Sequence, residues 1–113
     1  MLIKQQDAHK KINSSSCTVW EYDFPSKNLG FALSKINGRF PETGKAINTE
    51  CNEIYYVISG SGIIYHQTGT YEIHAGDSFL FEKGTSYYVE GNNLFLALPT
   101  SPAWYPGQYK HSE

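Results

Sequence analysis

The chain has 113 residues and a mass of 12.8 kDa, which suits one domain over residues 1–113 with a single core. Hydrophobic residues make up 40% and charged residues 18%, with nine Tyr, six Phe and two Trp, so the chain can bury a core and is not compositionally disordered. A net charge of -2 and the lack of any basic run exclude a phosphate-neutralising surface, so no nucleic acid is expected as partner.

Apolar runs are strand-sized and Met1 to Lys10 is polar, so neither a membrane span nor an export signal is read, and a cytoplasmic location is expected. About the first 14 residues read as a loose polar segment or an edge, with Ser14-Ser15-Ser16 as a loop. Cys17-Thr18-Val19-Trp20-Glu21-Tyr22 has the β-branched and aromatic content of a strand. Phe31 to Ile36 is a second strand, and Asn37-Gly38 after it reads as a hairpin turn because both residues tolerate positive φ. Pro41 to Gly44 breaks the chain before Lys45-Ala46-Ile47-Asn48-Thr49, a more polar strand.

Glu53 to Ile58, Ser59-Gly60-Ser61-Gly62 and Ile63 to His66 read as strand, turn and strand. Tyr71-Glu72-Ile73-His74 alternates in period two, Ala75-Gly76-Asp77 turns, and Ser78 to Phe81 follows. Ser86 to Glu90 and Leu94 to Leu98 complete the strands, and Pro99, Pro102 and Pro106 make residues 99–113 an irregular aromatic tail packed across the others. No segment carries a 3.6-residue apolar period. The fold class is therefore all-β, a sandwich or barrel whose closure protects its edges.

Two cysteines, Cys17 and Cys51, lack CxxC spacing and are too few for a disulfide framework, so both read as free thiols. Glu50 and Glu53 near Cys51 disfavour its thiolate.

The run from Glu53 to Gly62, with Glu53 followed by six residues and Gly60, resembles the second half of the first cupin motif. His74 to Tyr87, with Gly76-Asp77, Gly84 and Tyr87 at the family's intervals, resembles the second motif. The resemblance spans about Gly30 to Leu98, and Pro102-Ala103-Trp104-Tyr105-Pro106-Gly107-Gln108 is similar to the Pro-Trp-Pro-Gln endings of many small single-domain cupins. It implies a double-stranded β-helix, a jelly-roll barrel of the cupin 2 conserved-barrel type with a pocket at one end. The family's metal site has two His, the Glu and a third His. Counting back from Glu53 places either Thr49 and Ile47 or Asn48 and Ala46 at the first two positions, and Tyr87 stands at the third. Only Glu53 matches, so the metal motif is degenerate, no cofactor is expected, and a divalent transition metal is not supported by the motif.

By the resemblance and strand alternation, Glu53, Tyr55 and Tyr87 converge on one cavity, with Asn48 and His66 as further pocket candidates. The first reading is a binding module holding a small polar or ring-containing metabolite between aromatic walls. The second is a metal-independent isomerase, epimerase or lyase in which Glu53 or His66 removes a proton and Tyr87 or Tyr55 returns one. The third is a metalloenzyme with an unusual ligand set of Glu53 and His66, with Asn48 or Glu50 contributing. His74, His9 and His111 read as surface residues, and Asp77 as the cap of its turn. Ile54, Tyr56 and Ile58 face outward in this arrangement, and a homodimer is expected to cover them.

Overall fold

β-branched and aromatic runs of the chain form strands wherever they alternate, and the computed structural model, which describes residues 1–113, contains nine of them. These are β1 (His9–Ser14), β2 (Cys17–Tyr22), β3 (Gly30–Phe40), β4 (Lys45–Asn48), β5 (Asn52–His66), β6 (Gly69–His74), β7 (Ser78–Phe81), β8 (Ser86–Ser101) and β9 (Tyr109–Ser112). All strand pairs are antiparallel and join in one curled sheet. The all-β jelly-roll expectation is met. No helix is long and apolar enough to cross a membrane.

The barrel has two walls because β3, β5 and β8 are long enough to bend and serve both. One wall runs β1, β2, the first half of β3, the second half of β8, the first half of β5, then β7. The other contains β9, β4 and the second half of β3, both beside the first half of β8, then the second half of β5, and β6. At the bends the structure corrects three sequence readings. Asn37-Gly38 is no hairpin turn, since β3 continues to Phe40 with a register shift between Ile36 and Gly38. Ser59 to Gly62 likewise lies inside β5, where the pairing with β8 shifts twice between Val57 and Ser61. The gap between Glu90 and Leu94 lies inside β8. Gly and Asn mark a corner here because barrel closure requires a sharp local bend, and bulges provide it without ending the strand. Gly60 shows the need directly: its φ is +79° and a Cβ there would stand 2.0 Å from the Asn93 carbonyl oxygen.

The termini also depart from expectation. Residues 9–14 are an edge strand paired with β2 from His9↔Glu21 to Ser14↔Cys17, so the loose segment is shorter than read. The tail is not irregular throughout, because β9 pairs along the whole of β4, from Lys45↔Ser112 to Asn48↔Tyr109. β4 is short and polar, and the tail supplies the partner strand that its own sequence gives little sign of needing.

Inward positions alternate along each strand and meet in one core that includes Ile36, Val57, Ile64, Phe81, Val89, Leu94 and Leu96, each no more than 1% exposed. One side of this core, at Cys17, Ile36, Tyr55, Tyr87 and Leu98, borders an open cavity. Asp77 caps its turn as expected, its Oδ2 accepting from the His74 N–H at 2.8 Å.

Candidate functional site

Strand alternation on β5 turns Glu53, Tyr55 and Val57 inward and Ile54, Tyr56 and Ile58 outward. The same period buries Ala46 and Asn48 on β4 and Tyr87 on β8. This settles the register left open by counting: Ala46 and Asn48, not Ile47 and Thr49, take the inward places beside Glu53.

Asn48, Glu53, Tyr55 and Tyr87 all line one cavity of about 720 Å³ at the open end of the barrel. That volume falls within the range of small-molecule sites. Cys17, Ser34, Leu98 and Thr100 add to the wall, and Trp104 and Tyr109 of the tail close one side. Four of the five pocket residues read from the sequence are thus brought together. His66 is not among them. Its ring packs against Phe79 and Phe81, at centroid distances of 5.4 and 6.0 Å, outside the cavity lining. Its Nδ1 accepts from the Thr68 N–H at 3.1 Å, and its Nε2 is buried with no partner. Burial lowers its pKa, so the ring is held neutral.

Glu53 is 8% exposed and has one hydrogen bond, received at Oε1 from Asn48 Nδ2 at 3.3 Å. Burial pushes its pKa up to about 7, against the opposing pull of the Asn48 amide. A carboxyl poised there can hold or release a proton near neutrality, which an exposed glutamate cannot do. Burial, with the neighbouring Glu53 charge adding to it, keeps the phenols of Tyr55 and Tyr87 protonated, their pKa values well above the ordinary tyrosine range. Both rings pack edge-on, 6.3 Å apart, with Phe81 wedged against each at 4.6 and 4.2 Å.

Asn48 is itself fixed in orientation by the tail. Its Oδ1 accepts from Gln108 Nε2 at 3.0 Å and from Trp104 Nε1 at 3.2 Å, which forces its amide nitrogen toward Glu53. Gln108, 1% exposed, is anchored in turn by accepting the N–H groups of Glu50 and Cys51, both at 3.2 Å. Sequence reading missed these supports and Thr100. The signals were present: Leu94, Leu96 and Leu98 set an inward period that next falls on Thr100, and the Pro-Trp-Pro-Gln tail contains both Trp104 and Gln108.

Around Glu53 the donors available to a divalent cation are one carboxylate, one amide oxygen already accepting twice, and two neutral phenols. No group of three or more His, Cys, Asp or Glu comes together anywhere in the structure. Glu50 points away, its carboxylate accepting from the Tyr105 hydroxyl. This donor set does not fit the metal site that the fold family implies. The two cysteines are free and buried, and burial raises both thiol pKa values.

Residues 41–93 match the family model for the cupin domain. A sequence search of curated proteins finds no match. Among solved structures, Pac13, a nucleoside dehydratase, superposes with a TM-score of 0.88 at 16% identity, covering 100% of this chain and 91% of that one. Variants of the Streptomyces protein have been solved with uridine. KdgF from Halomonas sp. superposes with a TM-score of 0.78 at 12% identity, over 92% of this chain and 96% of that one. Oxalate decarboxylase from Bacillus subtilis gives 0.79 at 15% identity, with 96% of this chain covered but 31% of that chain. At these identities the likeness is one of fold.

Proposed function

We propose that the chain is a small cupin whose barrel cavity binds a small polar or ring-containing metabolite through its own side chains, without the family's metal ion. The convergence of Asn48, Glu53, Tyr55 and Tyr87 on one 720 Å³ cavity carries this reading. The aromatic rings supply flat apolar walls, while Glu53 and the phenolic hydroxyls fix orientation. That a fold neighbour has been solved with a nucleoside supports the size and chemistry of such a ligand. Thermal-shift measurements across a metabolite panel test it. At least one ring-bearing member should raise the melting temperature, and Tyr87→Phe should weaken that response. A panel of nucleosides, sugars and aromatic metabolites that leaves the melting temperature unchanged would contradict the proposal.

The raised pKa of Glu53 favours a second reading, in which the same cavity carries out metal-independent proton transfer. Glu53 would take a proton from a carbon beside a carbonyl, and a phenol, Tyr87 or Tyr55, would return one, as in an isomerase, epimerase or lyase. His66 is left out of this reading, because its ring packs on Phe79 and Phe81 and does not line the cavity.

The proposal includes a homodimer and a cytoplasmic location. The outer face of the β5–β7 wall exposes Ile54, Tyr56, Ile58 and Leu80, each between 39% and 50% accessible, with Ile54 and Leu80 directly paired. Four large apolar side chains on one sheet face form the kind of patch that a second copy covers. Light scattering should give twice the chain mass at micromolar concentration, and Ile54→Glu with Tyr56→Glu should return it to the monomer mass. A monomeric wild type would overturn the dimer.

A further inference from the structure

We infer that the cavity takes an uncharged or cationic ring compound bearing hydroxyl or amino groups, gripped at Glu53, and rejects phosphorylated and carboxylated analogues. The inference rests on the reading of the cavity as a metabolite site and specifies what enters it.

The first observation is a carboxyl with one oxygen unbonded. Glu53 lines the cavity and has only the Asn48 hydrogen bond, leaving its second carboxyl oxygen to the cavity. A carboxyl oxygen without a donor in so buried a place matches a ligand hydroxyl or amine. Thr100, the cross-strand partner of Glu53 in the β5–β8 ladder, lines the cavity beside it with its hydroxyl turned against Gly30.

The second observation is the sign of the charge. The cavity and its mouth carry Glu21, Asp23, Glu42 and Glu53 against Lys11 alone. Lys11 Nζ sits 5.7 Å from the centre of the Trp104 ring, so its charge already has a partner. The only ion pairs in the protein, His74 with Asp77 and His111 with Glu113, lie elsewhere, so the acidic groups are not neutralised. No arginine lines the site to receive a phosphate or carboxylate in the usual two-pronged way. An anionic ligand would be desolvated into a negative field, whereas a neutral polyol or an ammonium would be tolerated or attracted.

Calorimetric titration at neutral pH and low salt tests this with matched pairs, uridine against uridine 5′-monophosphate and glucosamine against glucuronate. Binding is expected to at least one of uridine and glucosamine, at least tenfold tighter than to its anionic counterpart. Glu53→Gln, whose oxygen would take the Asn48 bond and leave a donor rather than an acceptor toward the cavity, should weaken that binding about tenfold, with thermal melts confirming that the variant folds. Combining Glu21→Gln, Asp23→Asn and Glu42→Gln, all at the rim, should narrow the discrimination against the anion. Equal or tighter binding of the monophosphate or glucuronate would overturn the ligand class while leaving the metabolite site standing. Full affinity in Glu53→Gln would overturn the assigned grip. Binding of none of the four at millimolar concentration would count against the metabolite site itself, and the inference would fall with it.

Discussion

Replacing Glu53 with Gln is expected to stabilise the protein at pH 8 and to leave its stability nearly unchanged at pH 5. The folded-state pKa is raised from 4.5 to about 7 by burial, so the folded protein holds this proton more tightly than the unfolded chain does. Below pH 4.5 both states are protonated and Glu53 costs nothing. As pH rises toward 7 the unfolded chain loses the proton freely, while the folded protein must keep it or bury a charge, and the cost grows to about 3 kcal/mol above pH 7. Gln keeps an oxygen for the Asn48 amide and never ionises, so the variant escapes the cost. Urea denaturation of both proteins at pH 5 and pH 8 reads the difference. A gap that is the same at both pH values would mean that Glu53 titrates like an ordinary surface carboxylate. The same substitution should abolish any proton-transfer activity and weaken ligand binding, so that a group that costs stability is retained for what it does in the cavity.

Gln108→Leu is expected to be among the most damaging single changes outside the core, although Gln108 belongs neither to the hydrophobic core cluster nor to the cavity lining. Leu has similar bulk, but it leaves the N–H groups of Glu50 and Cys51 without their acceptor and Asn48 Oδ1 with one donor fewer. Loss of three hydrogen bonds at a site 1% exposed should cost about 3 kcal/mol. A structural role alone would stop there. The position of Gln108 behind Asn48 predicts a second effect: with Asn48 held by Trp104 alone, the one hydrogen bond that favours the ionised form of Glu53 is weakened, and its titration moves to still higher pH. Gln108→Glu, which retains the acceptor for both N–H groups, should recover most of the stability but not the Asn48 contact. Carbon-13 NMR of the glutamate carboxyls follows the titration directly, and an unmoved Glu53 in Gln108→Leu would show that the tail does not govern the site.

Much of this architecture is legible in the residues. Cys17 to Tyr22, Lys45 to Asn48, Tyr71 to His74 and Ser78 to Phe81 are strands because their β-branched, aromatic and alternating positions leave no competing period. Period-two alternation from Glu53 also places Tyr55 in the cavity. What fails is local reading where closure of the barrel decides the outcome. Asn37-Gly38 and Ser59 to Gly62 carry turn chemistry, yet the chain passes straight through both as bent strand, because a corner and a turn ask the same freedom of φ. His66 fails for a related reason. It faces inward as its spacing from Ile64 suggests, but two phenylalanines from the neighbouring β7 cover it, and no feature of its own strand announces them. Gln108 and Thr100 escaped notice because a buried amide and an orphan hydroxyl are defined by their partners, or the lack of one, rather than by residue type.

The central claim is that this cavity works with a carboxyl, an amide and two phenols rather than with a metal ion. Metal content per chain, measured by plasma mass spectrometry on protein purified without a histidine tag and without chelator, tests it most directly. The account predicts transition metal far below one equivalent per chain, unchanged by Glu53→Gln. A near-stoichiometric metal that is lost in Glu53→Gln would contradict it, and would make the donors around Glu53 a metal centre.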